Sequence, residues 1–154
     1  MRSLVIGCSI LLLGGCSRLF GGGSSQDVAG TVDISVDSTL RVATTQLIHH
    51  GYTVQPAGQN SIVTTPRPVP AYLVQKADSL RNRQWILQVN ANRQAFLRGT
   101  RLTVTGYVLP PGAPTTGTGK ATVERAIPVT NRSPLFPEVR AVTGWITDEA
   151  NRKK

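Results

Sequence analysis

Apolar and polar residues alternate with period two in the middle of the chain. Trp85, Leu87, Val89 and Ala91 flank Gln88 and Asn90; Leu102, Val104, Gly106 and Val108 flank Thr103, Thr105 and Tyr107. This pattern predicts two half-buried strands. A shorter alternation, Val32, Ile34 and Val36 against Asp33 and Ser35, predicts an earlier one. Leu40, Ala43, Thr44, Leu47 and Ile48 then recur at spacings of three and four, the apolar stripe of a helix. Asp37 is placed to cap its start and Gly51 to end it. Residues 52–54 and 61–65 predict short strands around the turn "QPAGQN".

Pro66, Pro68 and Pro70 remove strand donors and oppose helix, so "PRPVPAYLV" predicts an extended edge or connector. "NRQAFLRG" predicts a hairpin loop, "LPPGAPTTGTGK" a long loop and "ATVERAIPV" a further strand. A last helix has Ser133 or Phe136 as its cap and Pro137 in its first turn, where proline is tolerated. Val139, Val142, Trp145 and Ile146 form its apolar face, which Gly144 weakens. The order of elements predicts an α+β two-layer sandwich, a mostly antiparallel sheet with two helices packed on one face. This single domain is expected over residues 28–154.

The chain's start has a different pattern. Arg2 precedes an apolar run over residues 4–13, followed by Gly14 and Gly15. Basic, apolar and small segments in that order mark a secretory signal. A run of about ten residues is half of the roughly 20 that a membrane-spanning helix needs. Leu13-Gly14-Gly15-Cys16 resembles the lipobox of bacterial lipoproteins. Val5-Ile6-Gly7-Cys8 is a competing match that would leave almost no apolar segment. Ordinary secretion with a free Cys16 is the alternative.

The resemblance implies a signal peptide over residues 1–15, a diacylglycerol on the Cys16 sulfur and an acyl chain on its new amine. No other cofactor is expected. Each buried methylene contributes about 0.8 kcal/mol, so several chains on one residue anchor durably. Ser17 after the lipidated position implies export to the outer membrane, with the domain facing the periplasm. Residues 16–27, containing Gly21-Gly22-Gly23-Ser24-Ser25, read as a lipidated terminus and tether.

"LIHHGYTV" followed by "SIVTT" is similar to the helix–Gly-Tyr–strand unit of helix-grip envelope lipoprotein domains. That group includes the C-subunit lipoprotein of the outer-membrane β-barrel assembly machinery. The resemblance implies a fold and a non-enzymatic scaffold or accessory role.

Charge and cysteine count narrow the chemistry. Cys8 and Cys16 are the only cysteines, so a chain cut before Cys16 and acylated there has no free thiol, disulfide or thiolate metal site. Arg2 is the only charged residue before Cys16, so the formal +9 of the whole chain becomes +8. Lys76, Arg81, Arg83, Arg93, Arg98 and Arg101 fall in a stretch whose one acid is Asp78. On two strands and their loop, several could share one end of the sheet. They are candidate contacts for anionic lipid or lipopolysaccharide, each contributing about 1 kcal/mol near an anionic surface; a solvated basic rim is the plainer reading. With few aromatic residues, nucleic acid is not expected as a partner.

His49 and His50 are adjacent, so on a helix they point about 100° apart and cannot face one metal together. "GTGKAT" fails as a phosphate loop because Pro114 and Ala121 stand where glycine and Ser or Thr are needed. No Gly-x-Ser-x-Gly elbow is present, and nothing local pairs Asp78 with Glu124 across a cleft. The expectation is therefore a chain that is not an enzyme: a lipid-anchored accessory, scaffold or interaction module with an envelope protein as possible partner. The alternative is a carrier holding an apolar or anionic ligand between helices and sheet, which a pocket lined by Trp85, Tyr107 and Trp145 would favour. A hydrolase ranks last.

Overall fold

Side chains that alternate along a strand must face two different environments, and the second face decides the architecture. A computed structural model describes residues 27–95, 99–113 and 126–153. Within it the chain forms β1 (Val28–Val32), α1 (Val36–His49), β2 (Val54–Gly58), β3 (Ser61–Thr64) and β4 (Arg67–Pro68). Then come α2 (Ala71–Val74), a 3-10 turn (Asp78–Leu80), β5 (Gln84–Arg93), β6 (Thr100–Val108), β7 (Ile127–Pro128) and α3 (Phe136–Arg152). The sheet order is β1-β6-β5-β3-β2, with β4 also on β5 and β7 also on β6, and every pairing is antiparallel. Both long helices cover one face. The expected α+β two-layer sandwich is the observed fold.

The main core lies between sheet and helices. Trp85, Leu87 and Val89 from β5 and Leu102 and Val104 from β6 meet Val42, Ala43 and Leu47 of α1 and Val139, Val142 and Ile146 of α3. Ile86 points the other way and joins Val63 and Leu109 in a small second cluster, with Tyr107, Ala113 and Ala126 packed against it.

The first helix departs from the sequence reading. Ser35 is its cap, its Oγ accepting a hydrogen bond from the Ser38 N–H at 3.2 Å, and Asp37 sits in the first turn. The buried stripe is Thr39, Val42, Ala43 and Leu47, while Ile48 is 58% exposed. Two neighbouring helical rows satisfied the same spacing, and docking selected the one that reaches the sheet. Gly51 ends the helix at φ +78°, and the Tyr52 N–H reaches back to the Leu47 carbonyl at 2.9 Å.

The first strand lies earlier than its alternation predicts, at Val28–Val32, because Ser35 caps α1 and Val36 is already helical. Proline-containing segments gave further differences. β2 extends through Pro56 to Gly58, so the turn is shorter than "QPAGQN". β2 is an edge strand, where a missing donor is tolerated. The expected connector contains a two-residue strand and then α2, whose cap is Pro70; proline blocks a helix interior but suits its start. At α3 the cap position belongs to Leu135, with no capping side chain. The last predicted strand is represented by Ile127–Pro128, its residues 121–125 lying outside the described ones.

Candidate functional site

Three clusters of chemically capable side chains stand out. The first joins the end of α1 to the starts of α2 and α3. Tyr52, placed by the Gly51 turn, is 7% exposed. The Arg67 guanidinium lies 4.4 Å from the centre of its ring, an arrangement that favours the cation over the aromatic face. Trp85 meets the same tyrosine edge-on at 6.2 Å. Outside this pair, the Tyr72 hydroxyl donates to Glu138 Oε1.

Burial pushes the Tyr52 phenol up from its ordinary range, against the opposing pull of Arg67. Tyr72 is pushed up to about 12, first by its hydrogen bond to Glu138. Both phenols therefore remain protonated donors through neutral pH. The cluster can hold a cation on a ring and a proton between phenol and carboxylate. Little in the primary structure signals this cluster, since Tyr72 and Glu138 are 66 positions apart.

The second is a cavity of about 880 Å³ at the β5–β6 hairpin end. Arg93, Gln94 and Thr100 approach from the hairpin, and Asp33, Ser35 and Asp37 from the start of α1. One cation faces two carboxylates beside a helix N-terminus, so the surface is of mixed charge. The third is a groove of about 390 Å³ between the end of α1 and α3. There the His50 ring stacks on Trp145 at 3.6 Å with 10° between planes, and His49, Asp148 and Glu149 line the same groove. Among the described residues, no group of three or more His, Cys, Asp or Glu is placed to hold a metal ion.

The basic residues of the sequence reading divide between the two ends of the sheet. Lys76, Arg81 and Arg83 precede β5, whereas Arg93 closes it and Arg101 is the second residue of β6. A ten-residue strand separates the ends by about 30 Å. Arg81 is ion-paired with Asp78 at 2.6 Å, and Arg83 donates to the Leu109 carbonyl at 3.4 Å. Arg93 and Arg101 do share the hairpin end, but on opposite faces, because Arg101 is opposite Asn92 and Arg93 opposite Thr100. Arg98 and Cys16 lie outside the described residues.

The three aromatics named for a carrier pocket divide between the two faces of the sheet. Trp85 is buried in the main core, Trp145 packs against that core and stacks on His50, and Tyr107 belongs to the far face. Among the described residues, no helix is long and apolar enough to cross a membrane.

No protein-family model matches the chain. It is similar to three curated proteins, each named 3-methyl-2-oxobutanoate hydroxymethyltransferase. The protein from Heliobacterium modesticaldum is 30% identical over 77% of this chain and 38% of its own length. That from Bacillus velezensis is 34% identical over 47% of this chain and 26% of its own length. That from Syntrophomonas wolfei is 29% identical over 73% of this chain and 36% of its own length. The chain thus spans well under half the length of the curated relatives it matches.

These likenesses correct the expectation that the chain is not an enzyme, because each named relative is one. That expectation rested on the absence of local motifs. Local motifs are blind to groups that folding gathers from afar, as it does here for Arg67, Tyr72 and Glu138.

Proposed function

We propose that the chain is an envelope lipoprotein, acylated on Cys16 and held at the outer membrane, whose domain engages another envelope component from the periplasmic side. The observation that carries this reading is the order of Arg2, the apolar residues 4–13 and Leu13-Gly14-Gly15-Cys16. The entry point of the domain supports it. β1 is an edge strand and the first element among the described residues, so Asp27, where the tether ends, lies at the margin of the sheet. The eleven residues from Cys16 to Asp27 reach at most about 40 Å. The hairpin end is then within reach of a bilayer, and neither Arg93 nor Arg101 is engaged in an ion pair among the described residues. Their opposite faces make them a rim that touches phosphates, not a flat basic patch.

Labelling with a fatty-acid probe tests the anchor: Cys16→Ala is expected to abolish incorporation and release the protein from the membrane fraction. Incorporation unchanged in that variant removes the reading.

The named relatives favour a second reading, in which the domain binds 3-methyl-2-oxobutanoate or a related 2-oxo acid. Arg93 in the hairpin-end cavity is the group that would meet its carboxylate. A rise in melting temperature with millimolar 3-methyl-2-oxobutanoate, lost in Arg93→Ala, is the expected result. An unchanged melting temperature retires this reading.

A further inference from the structure

A groove of about 320 Å³ opens where the 3-10 turn meets the segment that runs from β7 to α3. Ser79 and Leu80 line it from the turn, Arg83 from just ahead of β5, and Ile127, Thr130 and Ser133 from that segment. Leu80 and Val129 are members of the main core, 8% and 2% exposed, and Val108 beside them packs against it. Ile127 is a large apolar side chain left 59% exposed. The groove therefore has an apolar floor and an apolar wall.

Its polar groups can all donate. Arg83 is half-buried, and its one hydrogen bond, to the Leu109 carbonyl, is long at 3.4 Å. No ion pair engages it among the described residues, and none of the groove's described lining residues is Asp or Glu. The Ser79 and Thr130 hydroxyls make no hydrogen bond among the described residues. The Ser133 oxygen accepts from the Leu135 N–H at 3.3 Å, which leaves its own proton to give.

This chemistry selects the occupant. A guanidinium pairs best with a planar carboxylate, which accepts two parallel N–H bonds. A single cation matches one negative charge, and hydroxyls at the rim can serve the remaining lone pairs. The apolar floor calls for an aliphatic chain, since a wholly polar ligand would leave Ile127 and Val108 wet. The volume of about 320 Å³ is about ten times the roughly 30 Å³ that a water molecule occupies in the liquid, so the ligand has about ten non-hydrogen atoms.

We infer that this groove binds a short aliphatic monocarboxylate, its carboxylate on Arg83 and its chain against Leu80, Val108 and Ile127. The inference stands apart from the anchor and from a 2-oxo acid at Arg93, because it uses neither Cys16 nor the hairpin-end cavity.

Isothermal titration of the full chain, purified in mild detergent, tests it with millimolar hexanoate, which is expected to bind saturably. Hexanamide has the same shape without the charge, and acetate the charge without the chain. Each is expected to bind at least about tenfold more weakly. Arg83→Gln is expected to weaken hexanoate binding by about tenfold or more. Its melting temperature reports whether it folds. Ser79→Asp, which places a carboxylate in the groove and leaves Arg83 intact, serves if it does not. Arg93→Ala, in the separate cavity, is expected to leave hexanoate binding unchanged. Absence of saturable hexanoate binding overturns the inference, as does equal binding of hexanamide or acetate. Affinity that survives the groove variants, or that is lost in Arg93→Ala, overturns it too.

Discussion

Two glycines in this fold respond in opposite directions to one added methyl group. Gly106 lies on β6 where α3 crosses the sheet. A Cβ built there would sit 2.7 Å from Val139 Cγ2 and 3.1 Å from Val129 Cγ2. Both valines are buried, at 1% and 2% exposure, and their branched side chains have little freedom to turn aside. Overpacking of this kind costs about 1–3 kcal/mol. The entropy saved by replacing glycine in a strand offsets about 0.5–1 kcal/mol of that. Gly106→Ala is therefore expected to destabilise the domain by about 1–2 kcal/mol.

Gly144 is the control. It lies within α3, and a Cβ there meets nothing within 4 Å. Gly144→Ala is expected to stabilise by about 1 kcal/mol, the difference in helix propensity. For a domain of this size each kcal/mol moves the melting temperature by about 3–5 °C, so the two variants should fall on opposite sides of the wild type. Thermal and urea unfolding followed by far-ultraviolet circular dichroism measures both. A Gly106→Ala variant as stable as wild type would refute the close approach of α3 to β6. A Gly144→Ala variant no more stable than wild type would refute the open site on the helix.

Two further predictions concern single hydrogen bonds. Ser35→Ala should lower stability by about 1 kcal/mol through loss of the cap on α1. Asp37→Ala should cost only a few tenths, as an exposed charge near a helix dipole; the reverse ranking in urea midpoints would make Asp37 the cap. Tyr72, with its pKa raised above the ordinary 10 to about 12 by Glu138, contributes stability that is complete below pH 10 and lost as pH rises from 10 to 12. Tyrosinate absorbance at alkaline pH should lose its component near pH 12 in Tyr72→Phe. Loss of a component near the ordinary value of 10 instead would remove the Tyr72–Glu138 hydrogen bond.

Much of this fold was legible because its signals are local. The alternation around Trp85 and Leu102 needs only the period of a strand, and Gly51 needs only its freedom at positive φ. Where the local signal was degenerate, the reading slipped. Ser35 and Asp37 are both good caps, and only the end of β1 at Val32 decides between them. Ile48 fits an apolar stripe as well as Leu47 does, until the sheet shows which row it covers. The prolines misled because their effect depends on place: edge strand for Pro56, helix start for Pro70.

The candidate sites were harder to read than the elements. Arg93 and Arg101 are eight positions apart in sequence and yet face opposite sides of the sheet, because pleat and register, not distance along the chain, assign a side. The junction of Tyr52, Arg67, Tyr72 and Glu138 draws on four separate segments.

By itself the sequence determined the two long helices, the two long central strands and the helix-covered sheet, since backbone sterics and apolar periodicity act over a few residues. It also carries the whole of the lipobox resemblance at Cys16, a covalent signal that needs no fold. Tertiary structure alone decided which helical row is buried and which arginines share an end. Those outcomes depend on strand register and helix docking, free energies summed over contacts between residues far apart in the chain.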